Sequence, residues 1–173
     1  MLEWYMLKKI NILLFCVVFV LSAEEPLLVF YEDSISNGVQ VYSIDGYNFS
    51  CSSYGVITLE RLYKRATDGS VCKKKIVDFY DKNPKSKFYT KSLLKYKQLY
   101  HIEIKGMECL VYLSNQQSIS ETLLSKGLAI LKLLFDNEEF KDSFVSAQKR
   151  AKLEKRGLWS ENIFKNCIKE LSQ

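Results

Sequence analysis

Histidine and cysteine, the residue types best suited to metal or redox chemistry, are spaced in a way that argues against a metal site. His101 is the only histidine, and it stands in a strand-like pattern that favours a partly exposed strand residue. No two of the five cysteines are separated by two residues, so zinc is not expected. Cys16 lies in an apolar N-terminal run, which leaves four candidates for disulfides: Cys51, Cys72, Cys109 and Cys167. Four cysteines allow three pairings, and the sequence does not choose among them.

An arginine and three tyrosines between positions 47 and 63 could bind a phosphate backbone and its bases. Arg61 could contact a phosphate, although its neighbour Glu60 also suggests a surface salt bridge. Tyr47, Tyr54 and Tyr63 could stack on the bases of a single strand. Because the chain has 11 tyrosines, ordinary packing is the simpler explanation for these three.

The composition predicts one globular domain. The chain has 173 residues, of which 47% are hydrophobic and 26% are charged. Its net charge of +5 is compatible with an anionic partner but does not require one.

The N-terminus predicts export. Lys8 and Lys9 precede an apolar run over residues 10–23, and that run is shorter than the roughly 20 residues that a membrane-spanning helix needs. A signal peptide cleaved after Ser22 or Ala23 is therefore expected, and an uncleaved membrane anchor is the alternative. The predicted localisation is periplasmic or secreted, with no stable transmembrane span after cleavage.

The first half of the chain predicts strands followed by a loop. Residues 38–63 form β-branched and aromatic runs broken at Asp45-Gly46 and Tyr54-Gly55, which indicates a three-stranded meander. Residues 26–31 are predicted to be a short strand or an edge leader, and residues 32–37 a polar break. Residues 64–83 are predicted to be a long loop with one helical turn near Ile76.

The second half predicts three helices and a hairpin. Asn83-Pro84 begins a helix to about Lys95, and residues 99–105 and 108–113 form the hairpin. A second helix begins at Ser118 and stops at Gly127, and residues 128–135 are predicted to be a buried connector or strand. The third helix, residues 137–156, has a buried stripe of Phe140, Phe144, Ala147 and Ala151, with Asp136 and Glu139 as its capping box and Phe135 and Phe140 as its hydrophobic staple. This order predicts an α+β fold, a five-stranded OB-type β-barrel with about three α-helices.

Several of these segments resemble the thermonuclease, or staphylococcal-nuclease-like, domain family. Ile44-Asp45-Gly46 and Arg61-Leu62-Tyr63 resemble parts of the family's opening strands. Residues 120–129 resemble its Asn-Glu-x-Leu-x-x-x-Gly-Leu-Ala helix. Residues 147–159 resemble its closing segment, which ends in Gly-Leu-Trp. The similarity covers residues 38–159. Together with the N-terminal export pattern, it predicts a signal peptide at 1–23, a thermonuclease-like OB-fold domain at 24–160 and a C-terminal tail at 161–173.

The resemblance implies a site with two aspartates and a carbonyl on calcium, a glutamate base and two arginines. Aligned through Ile-Asp-Gly and Arg-Leu-Tyr, only one of these five functional positions is matched, by Arg61. The two metal aspartates are replaced by Tyr47 and Ala66, the base by Gly69 and the second arginine by Met107.

Alternatives could restore part of this site. A shift of one residue brings Asp68 toward the base position, and Lys105 could replace the missing arginine. A second alignment, through residues 54–60, keeps Glu60 as the base but loses Arg61 and both metal aspartates. Neither alignment restores a calcium site.

These observations predict an exported thermonuclease-like protein that is catalytically impaired and acts as a nucleic-acid-binding or structural module. Arg61 is the remaining catalytic candidate; Arg61, Lys105 and Tyr63 are the candidate nucleic-acid contacts, and no metal ligand is predicted. No cofactor is expected, and the partner is DNA, RNA or a cell-envelope protein. One alternative is an active calcium-dependent nuclease with rearranged ligands, and the other is a cell-envelope adaptor.

Overall fold

The computed structural model describes the backbone of residues 26–171 and the side chains of residues 26–168. The predicted signal peptide lies outside the described residues. Within them, no helix is long and apolar enough to cross a membrane.

Seven strands, seven α-helices and one 3-10 helix make up the described residues. The strands are β1 (Leu27–Ser36), β2 (Val39–Ile44), β3 (Tyr47–Ser53), β4 (Val56–Thr58), β5 (Leu99–Lys105), β6 (Glu108–Val111) and β7 (Ala129–Leu131). The α-helices are α1 (Leu59–Arg65), α2 (Val71–Lys82), α3 (Pro84–Lys87), α4 (Tyr89–Leu93), α5 (Ile119–Ser125), α6 (Glu138–Leu153) and α7 (Ile163–Leu171), and the 3-10 helix is Gly157–Trp159. The sequence predicts about three helices: α5, α6 and a single helix where the structure has α3 and α4. It does not predict α1 or α7, and it predicts only one helical turn of α2.

Five strands close a barrel in the order β1-β2-β3-β6-β5, and β4 and β7 form a separate two-stranded sheet. The pairs within the barrel are antiparallel except β3 with β6, which run parallel and share only two residue pairs. A disulfide between Cys51 and Cys109 crosses this short seam. The predicted five-stranded OB-type α+β fold is confirmed.

The third strand of the predicted meander is wrong beyond Thr58. β4 ends there and pairs with β7, outside the barrel, and α1 begins at the next residue. Leu59, Leu62 and Ala66 are all buried, at a spacing of three and four residues. This helical spacing outweighs the β-branched alternation that suggested a strand.

The polar break predicted at residues 32–37 is also wrong, because β1 continues through it to Ser36 and completes the barrel. Its polar side chains have partners inside the fold. The Tyr31 hydroxyl lies 2.8 Å from the hydroxyl of Ser34, and the Glu32 carboxylate accepts hydrogen bonds from Ser43 and Lys97.

The long loop predicted at residues 64–83 is mostly helical. Ser70 caps α2 by accepting a hydrogen bond from the backbone amide of Lys73 at 3.2 Å. Cys72, Ile76 and Phe79 form the buried face of α2, and its lysines hid this periodicity. The single helix predicted from Asn83-Pro84 to Lys95 is instead two short helices, α3 and α4, separated at Phe88.

The predicted hairpin and the two later helices are confirmed. Ser118 caps α5, and α6 buries Phe144, Ala147 and Ala151, with Phe140 partly buried. The cap of α6 is Asn137 rather than Asp136, because Asn137 accepts hydrogen bonds from the amides of Glu139 and Phe140. Residues 128–135 contain β7, but Leu133 and Leu134 are exposed instead of buried.

Two glycines bring the ends of α5 and α6 into backbone contact. Gly127 and Gly157 both have positive φ angles, of 67° and 52°. A side chain on Gly127 would collide with the backbone of Arg156, and one on Gly157 with the backbone of Gly127. The amide of Leu158 donates to the carbonyl of Gly127 at 2.9 Å, so this contact requires glycine at both positions.

Residues 161–173, predicted to be a tail, contain α7. Ile163 and Cys167 of α7 are fully buried, and Cys167 forms a disulfide with Cys72 of α2. The ring centroids of Trp159 and Phe164 are 4.5 Å apart. Of the three possible pairing patterns, the structure therefore contains the one that joins Cys51 to Cys109 and Cys72 to Cys167.

Candidate functional site

A cleft of about 250 Å³ opens at the end of the barrel where β1, β2 and β3 meet β4 and α1. We call it the barrel-mouth cleft. It is lined by Ser36, Gly38, Val39, Ser52, Ser53, Val56, Thr58, Glu60, Arg61 and Lys64. The close approach of the chain to Thr58 at Gly38 favours glycine there, because a Cβ atom would lie 2.7 Å from the Thr58 side chain.

Glu60 is the only carboxylate among these lining residues, and a buried polar network holds it. Its Oε1 atom accepts hydrogen bonds from Asn37 Nδ2 at 2.7 Å and from the Tyr80 hydroxyl at 2.8 Å. Its Oε2 atom is buried and has no hydrogen-bond partner among the described residues. Burial, together with the neighbouring Glu60 carboxylate, raises the pKa of the Tyr80 phenol, so this hydroxyl remains a donor.

Asn37 is the centre of that network and is fully buried. Its amide group also donates to the Ser86 carbonyl at 2.8 Å and accepts from the Thr90 amide at 3.0 Å. The network therefore ties the β1–β2 turn to α1, α3 and α4. Its hydrogen bonds from Asn37 and Tyr80 hold the Glu60 side chain in place at the wall of the cleft.

Arg61 lines the same cleft and takes part in a charge cluster around Glu108. Its Nη1 atom is 3.8 Å from Glu108 Oε1, which Lys132 Nζ approaches more closely, at 2.6 Å. Glu108 Oε2 accepts a hydrogen bond from the amide of Gly55 at 3.1 Å. The Arg61 side chain is 43% exposed, so it remains accessible to an anion, and its contact with Glu108 is a weak surface pair.

The other two candidate nucleic-acid contacts do not line the barrel-mouth cleft. Tyr63 borders a separate apolar cavity of about 320 Å³ beside α2, where Lys73 Nζ lies 5.1 Å from its ring centroid. Lys105 pairs with Glu103 at 3.0 Å, at the turn between β5 and β6. Of the three candidates, the structure places only Arg61 in the cleft.

The alignment through Ile-Asp-Gly does not bring its metal-binding positions to the cleft, because Asp45-Gly46 is the turn between β2 and β3. The strand pair runs from Ile44–Tyr47 at this turn to Val39–Ser52 at the cleft. Five residues of strand span about 17 Å, so Asp45 and Tyr47 lie far from Arg61. The alternating apolar residues on both sides of Asp45-Gly46 are compatible with both alignments, and only the observed pairing of β2 with β3 distinguishes them.

The remaining positions of that alignment are not gathered at the cleft either. Ala66 is buried at the end of α1, and Gly69 has open space around it. Met107 is 92% exposed, and Asp68 pairs with Lys73. The second alignment is better in one respect, since its glutamate, Glu60, does line the cleft.

The tyrosines considered for base stacking serve other roles or lie elsewhere. Tyr54 packs edge-to-face against Phe135 and Phe140, with centroid distances of 5.5 and 6.4 Å, and its hydroxyl accepts from Asn137. Tyr47 is exposed beside the β2–β3 turn. Tyr54 therefore has a packing role, and Tyr47 lies too far along the β2–β3 hairpin to line the cleft.

The donor set of the barrel-mouth cleft does not fit calcium. Calcium takes six to eight oxygen ligands, and its affinity rises with the number of carboxylates. The cleft lining offers one carboxylate and four hydroxyl groups, those of Ser36, Ser52, Ser53 and Thr58. Among the residues that the structure describes, no group of three or more His, Cys, Asp or Glu side chains could hold a metal ion.

Sequence reasoning gives Glu60 a catalytic role only in the second alignment, and it assigns no site role to Asn37 or Tyr80. No local signal identifies this trio, because Asn37 and Glu60 are 23 residues apart and Glu60 and Tyr80 are 20 apart. Their association depends on the fold. An isolated Asn-Gly pair indicates a turn and gives no sign of a buried hub.

Comparison with known proteins agrees with the fold. A family model described as staphylococcal nuclease homologue matches residues 85–161, from the start of α3 to the residues before α7. The residues lining the barrel-mouth cleft lie before the matched segment. No curated protein matches the chain. The match covers less than half of the chain, and together with the closed five-stranded barrel it supports a relationship of this segment to staphylococcal nuclease homologues.

Proposed function

We propose that this is an exported protein whose staphylococcal nuclease-like domain binds nucleic acid without calcium-dependent hydrolysis. The observation that carries the proposal is the single carboxylate, Glu60, in the lining of the barrel-mouth cleft. The relationship to a nuclease family supports a nucleic acid as the ligand.

The chemistry of phosphodiester hydrolysis explains why one carboxylate is too few. The transition state needs concentrated positive charge on the phosphate and a base for the attacking water. Here one Glu60 oxygen is occupied by Asn37 and Tyr80, and the other is buried in the protein. Arg61 supplies one guanidinium, already beside Glu108. Charge for binding is present, but the ligands for a catalytic dication are not.

The disulfides support the export part of the proposal. Both cross-links join residues far apart in sequence, with separations of 58 and 95 residues. Disulfides persist in oxidising compartments and are rare in the cytosol. They agree with the basic and apolar pattern of residues 8–23, which predicts a signal peptide.

Two assays on one preparation test the proposal. Incubation of plasmid DNA and of RNA with calcium, and with a chelator, should give no chelator-sensitive cleavage. Fluorescence anisotropy with a labelled oligonucleotide should give binding that weakens as salt increases. Cleavage would favour the rearranged-ligand nuclease, whereas absence of binding at low salt would favour the protein adaptor.

A variant that adds ligands tests the reason for the missing calcium site. Ser36→Asp with Ser52→Asp adds two carboxylates to the cleft lining beside Glu60. Calorimetry should then detect calcium binding that the unmodified protein lacks. Ser50→Asp with Ser114→Asp changes the charge equally at exposed positions outside the cleft and serves as the control.

A further inference from the structure

A second cleft, of about 380 Å³, lies on the helical side of the domain, between α4, the β6–α5 loop, α5 and α6. We call it the helical cleft. Its lining residues are Tyr89, Leu93, Leu113, Asn115, Gln117, Glu121, Thr122, Ser125, Lys126, Ser143, Ser146, Ala147, Arg150 and Arg156. It shares no lining residue with the barrel-mouth cleft.

Three cationic side chains from separate segments converge on the helical cleft. They are Lys126 at the end of α5, Arg150 on α6 and Arg156 before the 3-10 helix. Glu121 is the one acidic residue in the lining, so the lining carries a net charge of +2 (three positive, one negative). A concave surface with this charge attracts an anion more strongly than a flat one, because the low-dielectric walls focus the field.

The three cations differ in how far they are already engaged. Arg156 Nη1 donates to the Ser125 carbonyl at 3.2 Å, and its other nitrogen pairs with Glu154. Lys126 Nζ lies 5.8 Å from the ring centroid of Tyr89. Among the described residues, the guanidinium of Arg150 has neither a hydrogen bond nor an ion pair. Arg150 is therefore the least engaged of the three cations, with its guanidinium donors available.

The rest of the lining suits an oxyanion ligand. Ser146 presents a hydroxyl group from α6 one turn before Arg150, and Ser143 lies two turns before it, with its hydroxyl donating to the Phe140 carbonyl at 3.0 Å. Gln117 presents its side-chain amide nitrogen from the opposite loop, while its amide oxygen accepts a hydrogen bond from Asn115 at 3.0 Å. Guanidinium, ammonium and hydroxyl donors around one space match the oxygens of a phosphate. The single carboxylate makes the same space unsuitable for a metal cation.

We propose that the helical cleft binds a backbone phosphate of a nucleic acid, with Arg150 as its principal contact and Lys126 and Arg156 beside it. This inference rests on the proposed function and assigns that binding to a surface away from the barrel mouth. The exposed Arg61 at the barrel mouth then contributes less to affinity than Arg150.

The chain provides a matched control for Arg150. Lys149 is the adjacent residue on α6, carries the same charge and is exposed, but it does not line the helical cleft. No hydrogen bond or ion pair holds its side chain among the described residues. Lys149→Ala therefore removes one positive charge from the same helix without touching the cleft.

The test is fluorescence anisotropy of the oxidised protein with a labelled 20-nucleotide single strand of thymidines, over a range of salt concentrations. Arg150→Ala should weaken binding about tenfold, and the slope of log affinity against log salt should fall by about one. Lys126→Ala should weaken binding less, and Lys149→Ala should leave affinity within about twofold of the unmodified protein. Melting temperatures of all variants confirm that each one is folded.

The outcomes separate this inference from the proposed function. If the unmodified protein does not bind the oligonucleotide at low salt, the proposed function and this inference both fail. If it binds and Arg150→Ala binds equally well, the helical cleft is not the site, although the proposed function stands. Equal losses for Arg150→Ala and Lys149→Ala would indicate non-specific charge attraction and would also overturn the assignment.

Discussion

The segment at residues 85–161 and the barrel-mouth cleft before it are built by different kinds of interaction. In the later segment, buried apolar side chains such as Phe144 and the backbone contact between Gly127 and Gly157 set the structure. Around the cleft, hydrogen bonds centred on Asn37 and Glu60 do so. The difference shows that a scaffold can be specified by size and spacing while its cleft depends on a few polar residues.

The Cys51–Cys109 disulfide joins β3, which borders the cleft, to the later segment, and removing it should give the largest effect. Cys51→Ala with Cys109→Ala releases a cross-link spanning 58 residues and opens the short parallel seam between β3 and β6. The expected loss is about 4 kcal/mol in the free energy of unfolding, measured by denaturant melts. A loss below about 1 kcal/mol would mean that the seam is closed without the disulfide.

Within the matched segment, Phe144→Ala should cost about 3 to 5 kcal/mol, because the ring is 1% exposed and stacks on Phe135. Val145→Ala, at a position that is 44% exposed on the same helix, is the control and should cost less than about 1 kcal/mol. Similar losses for both variants would contradict the packing assigned to α6.

At the cleft, Tyr80→Phe should have a smaller effect, of about 1 to 3 kcal/mol, because it leaves the Glu60 carboxylate with one donor fewer. Tyr96→Phe is a suitable control, since Tyr96 is 70% exposed. If Glu60→Gln abolished the cost of Tyr80→Phe, the charge on Glu60 would be the reason for the network. If Tyr80→Phe and the unmodified protein had the same free energy of unfolding, the hydrogen bond from Tyr80 to Glu60 would not stabilise the fold.

The smallest expected effect is a pH dependence from Glu32 on β1. Hydrogen bonds from Lys97 and Ser43 lower the pKa of this carboxyl. Its contribution to stability is therefore present above the pKa of the unfolded chain and is lost as the pH falls through the lower, folded pKa. Glu32→Gln should flatten that part of the stability curve. The partner Lys97 is 54% exposed, so high salt should reduce the effect.

Prediction from sequence succeeded where short-range spacing determines structure. The stripe of α6 and the cap at Ser118 were predicted because their periodicities involve residues within a few turns. α2 was missed, because three consecutive lysines obscure the spacing of Cys72, Ile76 and Phe79. The C-terminal helix was missed as well, since its burial depends on Cys72 and on packing against the 3-10 helix.

The cleft could not be predicted in the same way. Which residues line it depends on how β2 pairs with β3. In the sequence, Asp45-Gly46 matches both the family motif and an ordinary hairpin turn. The helical cleft joins Asn115, Lys126 and Arg150, which lie on three elements and share no local motif. Residues that meet only in the folded state leave no periodic signal.

Calorimetric titration of the mature protein with calcium, combined with a chelator-controlled cleavage assay, tests the central claim most directly. One carboxylate in the barrel-mouth cleft predicts no stoichiometric heat of binding at millimolar calcium and no chelator-sensitive cleavage. Stoichiometric calcium binding accompanied by cleavage that the chelator stops, and that Glu60→Gln abolishes, would contradict it.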